Sequence, residues 1–137
     1  MSDRGHILVV DDERSMREFL QIFFEREGYK VTTAPGVDEA EVCLENEEID
    51  IVITDMQMPK RGGLELLTAA RDLSPETAVD VITAYASTDS AIQAMREGAY
   101  DYITKPFKVD EIRLVIEKAL EKKQLALENE RLKTELK

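Results

Sequence analysis

Side chains that could act together on a phosphate stand at the ends of four apolar runs. Asp11-Asp12 follows Ile7-Leu8-Val9-Val10, Asp55 closes Asp50-Ile51-Val52-Ile53-Thr54, Thr83 closes Val79 to Ile82, and Lys105 follows Tyr102-Ile103-Thr104. If Asp11, Asp12 and Asp55 share one crevice, their like charges repel unless a cation sits among them. Magnesium suits such a set, because it prefers hard oxygen ligands and keeps several waters. The carbonyl of Gln57, two residues past Asp55, is in reach as a further ligand. An ionised Asp55 can attack a phosphoryl group in line, while the Lys105 point charge and the Thr83 hydroxyl take its oxygens. Taken singly, Asp11 or Asp12 could instead cap a helix, Asp55 could close a turn and Lys105 could lie on the surface. Four coincident placements at strand ends favour the shared site. Zinc or iron is not suggested, since the only histidine is His6 and the only cysteine Cys43.

The elements that must position these groups are legible as a strict alternation. Short β-branched runs read as buried strands, ending at Val10, Ala34, Asp55, Thr83 and Thr104. Between them lie helical patterns. Met16, Phe19, Leu20 and Phe23 mark the first helix, with a stop at Gly28; Ala40, Cys43 and Leu44 mark the second; Leu64, Leu67 and Ala70 mark the third, ended by Ser74-Pro75. A fourth runs from about Ser87 through Ile92 and Met95 to Gly98, and the last begins near Asp110. Five strands with helical crossovers require right-handed parallel connections, hence an α/β doubly wound five-stranded sheet, for which the order 2-1-3-4-5 is expected. In such a sheet ligands collect at the carboxyl ends of the strands, where the four groups fall.

At 137 residues the chain is one domain with a tail: a globular part over 1–120 and a helical linker over 121–137. The formal net charge of −11 disfavours direct nucleic-acid binding by this chain. A lone cysteine permits no intrachain disulfide, and Cys43 reads as a small core filler. The start is too short and too soon acidic for a signal peptide or membrane span, so the cytoplasm is expected. From Ile112 to Leu136 there is neither Gly nor Pro, so the last helix must protrude. Val115, Lys122, Asn129 and Leu136 share one heptad position, and Lys118, Leu125 and Leu132 the other. A homodimer through Leu125, Leu132 and Leu136, with Asn129 pinning the register of a parallel pair, is expected. A lone solvated helix is the alternative.

Four ordered pieces resemble the receiver domain of two-component response regulators: Leu8-Val9-Val10-Asp11-Asp12-Glu13, Ile53-Thr54-Asp55-Met56-Gln57-Met58-Pro59, Ile82-Thr83-Ala84-Tyr85 and Tyr102-Ile103-Thr104-Lys105-Pro106-Phe107. The resemblance covers Gly5 to about Leu120 and implies a flavodoxin-like (CheY-like) fold. It implies that Asp55 is the phosphoacceptor for a sensor histidine kinase. Magnesium, or manganese in its place, would be held by Asp12, Asp55 and the Gln57 carbonyl, with Asp11 acting mainly through water. Thr83 and Tyr102 match the family's switch pair, and Gln57 and Tyr85 the positions that tune the phosphoryl lifetime. The Lys105-Pro106 bond is expected to be cis. The stretches Ile82–Thr88 and Gly98–Tyr102, with the long last helix, look most like the NtrC-type subgroup, whose receivers control an AAA+ ATPase and a DNA-binding domain. No Gly-rich phosphate loop occurs, so such domains are expected outside this chain. The chain is thus expected to catalyse only its own phosphorylation and dephosphorylation.

Two other functions compete. A magnesium-dependent aspartyl-phosphate phosphatase usually keeps a second carboxylate close after the nucleophile, where this chain has Gln57. A phosphorylation-independent dimerisation module would need none of the site. One departure from the family is Asp80, between Val79 and Val81, where an aliphatic side chain is usual. In a sheet covered on both faces it must find a partner, stay protonated or destabilise the strand. Replacement by Ile is expected to raise the melting temperature.

Overall fold

The computed structural model describes residues 4–84 and 89–135. In chain order the elements are β1 (His6–Val10), α1 (Arg14–Arg26), β2 (Lys30–Ala34), α2 (Val37–Asn46), β3 (Ile51–Asp55), α3 (Gly63–Leu73), β4 (Ala78–Thr83), α4 (Asp89–Arg96), β5 (Asp101–Thr104) and α5 (Val109–Glu135). The strands form one parallel sheet in the order β2-β1-β3-β4-β5. Helices α1 and α4 each end one residue before a glycine-centred reversal. Gly28 and Gly98 take φ of +97° and +108°, and the following amides, of Tyr29 and Ala99, return to the carbonyls of Phe24 and Ala94. Only a residue without a Cβ adopts that conformation cheaply.

Alternation along the strands divides the core in two. Leu8, Val10, Val52, Val79 and Val81 face α2 and α3, packing on Leu44, Leu66 and Leu67. Ile7, Val9, Ile51, Ile53 and Ile82 face α1 and α5, packing on Leu20, Phe24, Ile112 and Ile116. With helices on both sides, β1 and β3 are buried at every position, which is why they read as unbroken apolar runs. Helix α5 is also clasped by ion pairs: Arg4 to Glu117 at 3.1 Å, and Arg113 to Glu27 at the end of α1 at 2.7 Å.

Helix α1 buries most of its expected face, with Leu20 in the core and Met16 and Phe23 packed against it, and leaves one edge outside; α4 turns a different face inward from the one its bulkiest residues suggest. In α1 the buried pair is Leu20 and Phe24, while Phe19 is 45% exposed. Six apolar residues spread over Met16 to Phe24 make a stripe wider than one helix can press against a sheet, so its edge stays in water. In α4 the inward residues are Ala91 and Ala94, and Ile92 and Met95 are 46% and 39% exposed. Small side chains let α4 lie close on β4 and β5. Ser87, the expected start of that helix, lies outside the described residues. In α3, Leu66 joins Leu67 and Ala70 in the core, while Leu64 is only partly buried; Cys43 packs at the margin of the same cluster. His6 is buried, with its ring nitrogens 3.0 Å from the Glu48 carbonyl and 2.7 Å from the Thr32 hydroxyl, a structural placement.

Asp80 is the anomaly of the sheet. It is 0% exposed, pairs in register with Ile53 and Asp101, and neither carboxylate oxygen has a hydrogen-bond partner among the described residues. Burial first, and the charge of Asp101 second, push its pKa up to about 8; the Asp101 amide opposes this without forming a proper hydrogen bond. The carboxyl group is held protonated at neutral pH.

Candidate functional site

The ends of β1, β3, β4 and β5 deliver their polar residues to one edge of the sheet. Asp11 and Asp12 lie just past β1, and Asp55 is the last residue of β3. One oxygen from each of these three carboxylates lies within 4.8 Å of those from the other two. Lys105, one residue past β5, places Nζ 3.2 Å from Asp55 Oδ2. Its amide donates to the Thr83 carbonyl at 2.8 Å, extending the β4–β5 ladder, and the Lys105–Pro106 bond is cis. A cavity of about 240 Å³ opens here, lined by Asp12, Asp55, Gln57, Thr83 and Lys105 among others. Separate strands thus bring the carboxylates, the hydroxyl and the ammonium group to one cavity.

The electrostatics of this corner call for a cation. Asp11 is 1% exposed; its Oδ1 accepts the Glu13 amide at 2.9 Å, but its Oδ2 is buried with no partner among the described residues. Burial raises the Asp11 pKa, the charges of Asp55 and Asp12 add to the rise, and the Glu13 amide and Lys105 oppose it. An orphaned oxygen inside a cluster of hard donors is what a divalent ion with bound water would satisfy. Asp11, Asp12 and Asp55 are the carboxylates gathered there, and Gln57 lines the adjoining cavity.

Other expected residues lie elsewhere. Tyr102 is 39% exposed and pairs with Val81 on the same sheet face as Thr83, but it does not line this cavity. Tyr85 lies outside the described residues. Leu125 is 55% exposed on α5, the side chains of Asn129 and Leu132 lie outside the described residues, and so does Leu136. Three supporting residues have no motif to announce them. Arg17 donates from α1 to the Asp11 carbonyl at 2.7 Å, the buried Thr54 hydroxyl donates to the Asp55 carbonyl at 3.0 Å, and Arg61 anchors the loop after β3. Arg17 and Arg61 act across elements, so local spacing carries no signal of them.

Residues 7–117 match the family model of the response regulator receiver domain. The chain belongs to that family. This receiver is 36% identical over 133 residues to the alginate biosynthesis transcriptional regulatory protein AlgB of Pseudomonas aeruginosa, covering 97% of this chain and 30% of that protein. It is 35% identical over 121 residues to the regulatory protein AtoC of Escherichia coli, covering 88% and 26%. Among solved structures, NtrX from Brucella abortus in complex with ATP superposes with a TM-score of 0.88 at 35% identity, over 96% of this chain and 30% of that one. A receiver domain protein from Clostridium thermocellum gives 0.83 at 36% identity, over 89% and 98%. The chain thus spans less than a third of the length of the curated regulators it matches. It is a response regulator receiver domain, similar to the receivers at the corresponding part of those longer regulators. No helix among the described residues is long and apolar enough to cross a membrane.

Proposed function

We propose that this receiver accepts a phosphoryl group on Asp55 from a phosphohistidine of a sensor histidine kinase, in a magnesium-dependent reaction. The observation that carries the reading is the convergence of Asp11, Asp12 and Asp55 within 4.8 Å, with the Lys105 ammonium 3.2 Å from Asp55 and a buried Asp11 oxygen left over. An Asp55 oxygen attacks phosphorus, the new P–O bond forms as the P–N bond breaks, and the imidazole nitrogen keeps the electron pair. Lys105 neutralises a phosphoryl oxygen, and the Thr83 hydroxyl donates to another. Magnesium, or manganese in its place, would supply the remaining charge neutralisation when held by Asp12, Asp55, the Gln57 carbonyl and, through water, Asp11. No carboxylate stands at position 57 to serve as acid or base toward an external substrate, so the chemistry serves signalling rather than turnover.

The switch then passes from Thr83 to Tyr102 on the neighbouring strand, with Gln57 and Tyr85 setting how long the phosphoryl group survives. Residues 1–120 act as the receiver and 121–137 as a linker helix that pairs with a second copy through Leu125, Asn129, Leu132 and Leu136. The output is an AAA+ ATPase and a DNA-binding domain of a longer cytoplasmic regulator. The test is intact-mass spectrometry after incubation with acetyl phosphate and magnesium. Wild type is expected to gain one phosphoryl mass and to lose the gain when the metal is chelated. A gain of the same size in Asp55→Asn refutes the assignment.

A further inference from the structure

In the loop from Met56 to Gly62, between β3 and α3, the positive φ falls on Lys60 and not on the glycines at 62 and 63. Lys60 has φ of +70°, a left-handed conformation costly for a residue with a Cβ, and the Arg61 amide closes across it onto the Pro59 carbonyl at 2.9 Å. Such strain lasts only where the surroundings enforce it. On one side the loop is pulled against the end of β3. The Gly63 amide donates to the Met56 carbonyl at 3.0 Å, and a Cβ on Gly63 would stand 2.9 Å from the Asp55 carbonyl oxygen. On the other side, the Arg61 guanidinium is caged by carboxylates of two helices. Nη1 donates to Asp38 Oδ1 at 2.8 Å and to Glu41 Oε1 at 2.7 Å, Nη2 to Glu41 Oε2 at 3.1 Å, and Nε to Glu65 Oε2 at 3.3 Å. The two-pronged match to Glu41 fixes direction as well as distance, which an ammonium group could not do.

We propose that Arg61 is a positioning residue for the cation site: its cage on α2 and α3 holds the strained turn, and so keeps Gln57 in the cavity wall it shares with Asp12 and Asp55. This deepens the magnesium reading above and rests on it. Arg61 touches none of the reacting groups and acts only through the backbone it tethers. Simple electrostatics predicts the opposite sign, since deleting a positive charge near a cation site tightens cation binding.

The experiment is a magnesium titration of the full chain, followed by amide NMR shifts of the residues around the cavity, with urea unfolding run in parallel. Wild type binds, Asp55→Asn loses most of the binding, and Arg61→Met binds about tenfold more weakly, as is usual when support behind a metal ligand is removed. Arg61→Lys keeps the charge and loses the fork, so it too is expected to weaken binding, by a factor that its change in stability does not track. Equal or tighter binding by folded Arg61→Met, or by Arg61→Lys if the first variant does not fold, overturns the positioning role alone. Failure of wild type to bind magnesium overturns the site reading and this inference with it.

Discussion

Replacing Asp80 should stabilise the domain by an amount that grows with pH. Its carboxyl group is wholly buried without a hydrogen-bond partner among the described residues, and its pKa rises from 3.8 to about 8, a difference of about 4 units. Because the folded state holds the proton more tightly than the unfolded chain, folding is undisturbed below about pH 4. Stability is then lost progressively as pH rises to about 8, and the loss is complete above that. At about 1.4 kcal/mol per unit the full loss is on the order of 5 kcal/mol, a large share of the ~5–15 kcal/mol that typically holds a domain together. Asp80→Asn removes the titration at nearly constant shape, and Asp80→Ile also removes the stranded polar atoms. Unfolding by urea and by heat, followed by circular dichroism from pH 5 to pH 8, gives the difference between variant and wild type, in which the other titrating groups cancel to first order. The difference is expected to widen by roughly 1.4 kcal/mol, or about 4 °C in melting temperature, per pH unit. A difference that stays flat across this range would refute the claim that Asp80 is held neutral.

Gly63→Ala places a methyl group 2.9 Å from the Asp55 carbonyl oxygen and 3.0 Å from the Met56 Cα, both backbone atoms that cannot step aside cheaply. A loss of about 1–3 kcal/mol is expected by urea unfolding, together with slower phosphorylation by acetyl phosphate, because the strand end itself must move. Ile116→Ala opens a cavity under α5 and is expected to cost about 2–5 kcal/mol, read by the same unfolding measurement. Leu125→Glu tests the proposed pairing of the last helix: if it pairs as a coiled coil, sedimentation is expected to show a weaker dimer with no change in melting of the receiver fold. Adding beryllium fluoride as a phosphoryl mimic to wild type then reads whether the switch loosens or tightens that dimer.

What local pattern could determine, it did. Strands buried on both faces must be nearly continuous in apolar residues, so the runs before Asp11, Asp55, Thr83 and Lys105 marked both the strands and the polar residues that end them. Parallel strands need long crossovers, and those lengths are countable along the chain; a doubly wound parallel sheet follows, with the strand-end groups at one edge, while the order 2-1-3-4-5 is the expected one among several that crossovers of this length allow. Tertiary structure alone decided which stripe of each helix met the sheet. Leu20 and Phe24 were chosen over Phe19, and Ala91 and Ala94 over Ile92 and Met95, because closeness of approach depends on the opposing surface and not on the hydrophobicity of the helix. It also decided partnership. Arg61 lies 20 residues from Glu41 and finds it only because α2 and α3 pack side by side, whereas Asp80 has no hydrogen-bond partner among the described residues and shares its sheet face with the apolar cluster of Ile53, Ile82 and Ile103. Whether a charge is paired or stranded depends on the full three-dimensional surroundings, which no window of sequence contains.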